Sequence, residues 1–318
     1  MLDLKNEILT AEEKIRPYIC QTPLYFSSPI SKLLNANIYL KCENLQYTGS
    51  FKARGAFNKL LSLTLSEKQM GIVAASSGNH GAAVAFGLNQ LNMSGIIFVP
   101  EHASLAKVSN IQNYDVSLKF YGTDCIQTEL YASDYAKKHH MIYVSPYNDV
   151  HVIAGQGTIA LEVMQQVQDV DYILVPVGGG GLISGIAAYT KSVSPQTQII
   201  GCLPENSPVM AKSIKARKII EMDGLPTLSD ATAGGIESRA ITLELCDRYV
   251  DDYILVSEQE IKDAIITIIN THHLLIEGAA ALSVASILKH AARFKGKNVV
   301  VILSGANISL TTLKTVLG

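Results

Sequence analysis

The chain has 318 residues, 48% of them hydrophobic and 17% charged, with a formal net charge of −2. That length and apolar content suit a folded protein of two lobes and exclude a disordered chain, and with no gathering of Lys or Arg a nucleic-acid partner is not expected. The five cysteines, Cys20, Cys42, Cys125, Cys202 and Cys246, are scattered and form no CxxC pair, a usage that fits a reducing compartment.

Residues 1–18 carry acidic side chains and helical spacing where a secretory signal needs a basic start and an apolar core. No later apolar run is long enough for a membrane span, so a cytoplasmic protein without a membrane partner is expected. Short β-branched runs then alternate with amphipathic stretches, the pattern of parallel strands joined by crossover helices. Strands are predicted at residues 37–43, 71–76, 95–100, 116–122 and 141–147, and a second series at 172–177, 198–204, 252–256 and 298–304. Helices are predicted over 124–140 and 257–273, the latter with Ile261, Ile265, Ile268 and Ile269 on one broad face. The predicted fold class is α/β, with two doubly wound open sheets.

Open α/β sheets bind ligands at the carboxyl ends of their strands, and four segments stand there. In the first, Ser50-Phe51-Lys52-Ala53-Arg54-Gly55, Lys52 falls near a helix start, where the helix dipole disfavours a positive charge and favours a neutral, nucleophilic amine; an isolated lysine is more often simply solvated. The second, Ser76-Ser77-Gly78-Asn79-His80-Gly81, offers hydroxyls, an amide and helix-start N–H groups to a carboxylate, although a plain N-cap would use the same residues. The third is Gly178-Gly179-Gly180-Gly181, four glycines that let the main chain approach a phosphate closely; no Lys follows, so it is not a nucleoside-triphosphatase loop. The fourth, Ser304-Gly305-Ala306-Asn307, puts a hydroxyl at a strand end, where alone it would be an ordinary turn residue.

In this order the four segments resemble the fold-type II pyridoxal-phosphate (PLP) enzymes, and among them the threonine/serine dehydratase and serine racemase family. The likeness extends from Thr22-Pro23-Leu24 through Gly155-Gln156-Gly157-Thr158 to Ser304-Gly305. The resemblance implies that pyridoxal 5'-phosphate lies between the two lobes, held covalently by Lys52 as a Schiff base. It also implies that Phe51 packs beside the ring, that Asn79 meets the ring oxygen, and that Gly178, Gly179, Gly180 and Gly181 hold the phosphate. Ser304 would face the ring nitrogen and Glu277 would stand close to the ring. Ser76, Ser77, Gly78, Asn79 and His80 would bind the substrate carboxylate. The expected domains are a large one from residues 1–64 and 148–318 and a small one from 65–147, in a homodimer or higher homo-oligomer.

The activity implied is elimination of a β-hydroxyl from serine, threonine or another hydroxy amino acid, giving a 2-oxo acid and ammonia. A serine or aspartate racemase is the close rival, because Ser77 offers an acid/base opposite Lys52. A non-catalytic phosphate-ligand binding protein is the alternative of another class. Three departures from the family pattern matter. Leu203 and Val209 occupy positions where cation-regulated members have carboxylates, so no metal is expected. Ala233-Gly234-Gly235-Ile236-Glu237 and Glu205-Asn206-Ser207-Pro208 look like a subgroup linked to hydroxyectoine breakdown, which bears on the substrate. Nothing after Gly318 suggests an allosteric domain. His139-His140 and His272-His273 are read as helix-end residues, and Cys42 as a buried small hydrophobe.

Overall fold

The β-branched runs assemble into two sheets in the computed structural model, which describes residues 3–123, 125–222 and 224–318. The strands are β1 (Leu24–Phe26), β2 (Asn37–Lys41), β3 (Ile72–Ala75), β4 (Gly95–Val99), β5 (Ser117–Phe120), β6 (Ile142–Tyr143), β7 (Tyr172–Pro176), β8 (Gln198–Pro204), β9 (Asp252–Val256) and β10 (Asn298–Ile302). A six-stranded sheet has the order β1-β2-β10-β7-β8-β9, and a four-stranded one the order β5-β4-β3-β6. All pairings are parallel except β1 with β2.

Period-two alternation on the buried strands explains why helices cover both faces of the larger sheet. Along β10, Val299 and Val301 join the core containing Ile38, Leu40, Ile261 and Ile265. Val300 and Ile302 join the opposite core with Ile173, Val175, Ile183 and Ile186. Because β10 lies between β2 and β7, the carboxyl end of the chain's last strand sits beside the segment that follows β2. That junction is sealed by the bridge between Ser50 and Gly305 and by hydrogen bonds from Phe51 N to Ser304 O (3.1 Å) and from Ala306 N to Gly49 O (2.9 Å).

Three local expectations need correction. β1 was absent from the sequence reading; at three residues it is too short to show periodicity. The predicted strand 141–147 stops after Tyr143, because Pro146 has no N–H for a ladder and Ser145 Oγ instead accepts from the Asn148 amide at 3.0 Å, turning the chain out of the sheet. The predicted helix 124–140 runs over Cys125–Lys138; residue 124 lies outside the described residues. The helix Glu258–His272 follows its expected bounds, with Ser257 as N-cap in a capping box and His273 as a left-handed C-cap. Among the described residues, no helix is long and apolar enough to cross a membrane.

A fully buried ion network braces the segment before and after Lys52. Arg54 donates to both oxygens of Glu43 (2.8 Å each) and to Glu162 (2.8 and 3.0 Å), while Lys41 Nζ donates to Glu162 at 2.5 Å and to the Thr22 carbonyl at 2.8 Å. Burial by itself would raise the Glu162 carboxyl, but Arg54 and Lys41 outweigh it and hold it down at about 2. Buried charges persist only when paired in this way.

Packing generates three predictions. Arg54→Ala should cost about 3–5 kcal/mol in urea unfolding, since it strands two carboxylates in the interior. The stabilisation from Glu162 should be complete above its ordinary value of 4.5 and lost as the pH falls towards 2, which acid titration of the unfolding midpoint checks. Leu203 and Val209 are buried in the apolar core. Magnesium or calcium should therefore leave the melting temperature unchanged; a large rise reversed by chelator would contradict this.

Candidate active site

Four helices that begin at the cavity between the two sheets begin there without a side-chain cap. The helices Lys52–Ser62, Asn79–Gln90, Gly181–Val193 and Gly278–Lys289 start after Phe51, Gly78, Gly180 and Glu277, and none of these residues caps its helix with a side chain. Away from the cavity Asp3, Ser27, Thr64, Ser104, Asp149 and Ser257 do so for their helices, and at its edge Ser309 does so for the last one. Four N-terminal turns with N–H groups free of side-chain caps and positive dipole ends thus converge on one space, an arrangement suited to anions.

The cavity has a volume of about 300 Å³ and is lined by Phe51, Lys52, Ser76, Ser77, Gly78, Asn79, His80, Gly178, Gly179, Gly180, Gly181, Glu277 and Ser304, together with residues the sequence did not single out. Lys52 is the first residue of its helix, and its Nζ donates to the Pro146 carbonyl at 2.8 Å. Burial lowers its ammonium to about 8, against the opposing pull of Glu129 and Glu277. About a tenth of the amine is therefore neutral at pH 7, far more than for an ordinary lysine.

The glycine run is shaped by what it must pass. A Cβ at Gly179 would lie 2.5 Å from the Tyr147 ring, and Gly180 has φ +86°, a left-handed conformation that L side chains rarely adopt. Thr242 Oγ1 donates to the Gly179 carbonyl at 2.7 Å, turning that oxygen towards protein. The next helix N-terminus is left open to the cavity. A phosphate fits this cradle, and Lys52 fits the aldehyde of the same group; the residues present suit pyridoxal phosphate.

On the side opposite the cradle, Asn79 Nδ2 donates to Glu277 Oε1 (2.8 Å) and Asn79 Oδ1 accepts from Asn307 (2.6 Å), which also donates to the Thr48 carbonyl. Burial raises the Glu277 carboxyl to about 7, helped by Asp230 and opposed by Asn79. Gly305 is required here because a Cβ would overlap the Glu277 carboxyl. His80 bonds the Val144 carbonyl through Nε2 at 2.9 Å, and burial plus the charge of Lys52 lower it to about 3. A neutral imidazole donating to a carbonyl carries its proton on Nε2. Gly78 N donates to Ser76 Oγ at 3.1 Å, which tightens the turn carrying Ser77.

Several cavity residues carried no motif in the sequence. Lys107, on the helix Leu105–Gln112, pairs with Asp230 at 2.6 Å across the cavity mouth. Glu129 enters from the helix Cys125–Lys138, and Tyr147 lies beneath the glycine run. The sequence separation between these groups hides them, whereas Ala306 and Asn307, and Ala233, Gly234 and Gly235, of the cavity stood inside segments already noticed. Leu203 and Val209 lie apart from the cavity, in the core of the six-stranded sheet. Among the described residues there is no group of three or more His, Cys, Asp or Glu side chains that could hold a metal.

The family model described as "Pyridoxal-phosphate dependent enzyme" matches residues 15–305. An L-threonine ammonia-lyase of Thermotoga maritima is 38% identical over 312 residues, covering 98% of this chain and 77% of that protein. The catabolic L-threonine dehydratase TdcB of Staphylococcus aureus is 40% identical over 316 residues, 98% of this chain and 91% of that protein. The structure of maize serine racemase superposes with a TM-score of 0.92 at 30% identity, covering 98% of this chain and 96% of that one. With the match spanning the lysine helix, the glycine cradle and the last strand alike, the chain belongs to the family of pyridoxal-phosphate-dependent enzymes.

Proposed function

We propose that the protein is a pyridoxal-phosphate-dependent ammonia-lyase that removes the β-hydroxyl of serine or threonine, releasing a 2-oxo acid and ammonia. The observation that carries this reading is the set of uncapped helix starts around Lys52, which offers separate anchorage for a phosphate and a carboxylate. The two threonine-deaminating relatives support the same reaction.

In this reading Gly178, Gly179, Gly180 and Gly181 bind the phosphate, and Ser76, Ser77, Gly78, Asn79 and His80 bind the substrate carboxylate. Phe51 and Ser304 flank the cofactor ring, and Glu277 with Asn79 faces its polar edge. When bound, the cofactor supplies an electron sink for the substrate's Cα. Lys52 first holds the cofactor and then, as a free amine, takes the Cα proton; its lowered affinity for protons suits both tasks. Ser304, which lines the cavity, would offer the cofactor ring a hydroxyl where a carboxylate would hold a proton, and this suits elimination of the β-hydroxyl.

The segment 65–147 acts as a small domain carrying Ser76–His80, and the Lys107–Asp230 pair ties it to the larger part. Carboxylate binding draws the two together and excludes water. The free cysteines Cys20, Cys42, Cys202 and Cys246 support a cytoplasmic setting. Exposed Tyr25 and Phe26 on the edge strand support a homodimer.

Racemisation is the second reading, favoured by the Ser77 hydroxyl in the cavity and by the likeness to maize serine racemase. Product analysis with L-serine, D-serine and L-threonine separates the two: oxo acid supports the lyase, inverted enantiomer the racemase. Ser77→Ala should abolish inversion while leaving most of the elimination. Lys52→Ala should lose the bound-cofactor absorbance and lower turnover by about three orders of magnitude, because the nucleophile and the base are one group. Cofactor still fixed to the variant chain by borohydride would overturn the assignment.

A further inference from the structure

The cavity has one wall that the proposed roles leave unassigned. The glycine cradle, the Ser76–His80 turn and Lys52 account for the phosphate, the carboxylate and the amine of an amino-acid substrate. Among the lining groups that remain are Ile126 and Glu129 from the helix Cys125–Lys138 and Gly234 and Gly235 from the segment before Glu237. A Cβ at Gly235 would lie 3.3 Å from the Ile126 side chain, so this face closes tightly around whatever the substrate carries beyond Cα. The side chain of the substrate is the one group left to meet it.

Among the described residues, the Glu129 carboxyl has no hydrogen-bond partner although it is largely enclosed. Its neighbours are Lys52 at the cavity floor, Glu237, and the hydroxyls of Tyr143 and Tyr147. Three of these are already engaged: Glu237 accepts from Asn148 Nδ2 at 2.8 Å and Ser145 Oγ at 3.4 Å, Tyr147 Oη accepts from the Glu237 amide at 2.9 Å, and Lys52 donates to Pro146. The Tyr143 hydroxyl is buried and also lacks a partner. An enclosed polar group left unsatisfied beside a ligand cavity is satisfied by the ligand.

Resting on the lyase reading above, we propose that Glu129 is the specificity-determining residue for the substrate's β-substituent, hydrogen-bonding a hydroxyl there and excluding a carboxylate. Burial, then the charge of Glu237, raise the Glu129 carboxyl to about 8, with Lys52 opposing. At neutral pH the group is largely a neutral acid that can donate to a hydroxyl oxygen. Above pH 8 it becomes a second negative charge beside Glu237, and a dicarboxylate is repelled more strongly.

The test uses holoenzyme and two unreactive ligands without an amine: 3-hydroxypropionate, which carries the β-hydroxyl, and succinate, which carries a carboxylate in its place. Their dissociation constants are read from the absorbance of the bound cofactor for the wild type, Glu129→Gln and Glu129→Asp. At pH 9, where Glu129 is ionised in the wild type, Glu129→Gln should raise succinate affinity by about 10-fold or more relative to 3-hydroxypropionate. Glu129→Asp should keep the wild-type preference. Wild-type succinate affinity should fall from pH 7 to pH 9, and this slope should vanish in Glu129→Gln. An unchanged affinity ratio in Glu129→Gln at pH 9, or an equal loss for both ligands there, overturns the proposal. Failure of the wild type to release ammonia from L-serine and L-threonine would sink the lyase reading instead, while the titrations still decide the role of Glu129.

Discussion

The guanidinium of Arg54, buried two residues beyond Lys52, is the interaction on which the geometry of the cavity depends. It is fully removed from water, and its hydrogen bonds reach Glu43 at the end of the β2 segment and Glu162 on the helix Val150–Gln166. Lys41 and Arg16 complete the charge balance at Glu162. A buried charge must keep all of its partners or become strongly unfavourable, so the network permits one placement of the helix that begins at Lys52. The amine is thereby aimed at the cavity by a helix whose opposite side cannot shift.

Around that fixed lysine the structure gathers positive helix ends. Each of the four uncapped starts follows a different part of the chain, and each would leave N–H groups without acceptors if the cavity were filled by apolar side chains. The same field that favours bound anions disfavours a protonated Lys52. Burial depresses the lysine and the His80 imidazole while it raises Glu129 and Glu277. The cavity therefore carries less formal charge than its residue list suggests, and Lys52, Glu129 and Glu277 sit closer together in proton affinity than they would in water.

Legibility in the sequence followed the range of the interactions involved. Strands such as β7, β8 and β10 were readable because continuous β-branched runs bounded by turn residues mark a strand buried on both faces. The two-residue β6 was overextended, since Tyr143 to Tyr147 continues to look apolar while Pro146 and the Ser145 side chain divert the backbone. The lysine, serine and glycine segments were readable because each is a local turn-to-helix device. Arg54 stood inside the first of them, yet nothing local pointed to its partner Glu162, which lies 108 positions away.

The sequence by itself determined the alternation of strands and helices, the turns able to bind anions, and the placement of a lysine at a helix start, because each of these is encoded within a dozen consecutive residues. Tertiary structure alone decided the insertion of β10 between β2 and β7, which brings Ser304 to Lys52. It also decided the bond from Asn79 to Glu277 and the arrival of Glu129 at an unassigned wall of the cavity. Those are contacts between groups distant in the chain, and the free energy that selects them comes from burying whole sheet faces and pairing buried charges, quantities that no local pattern records.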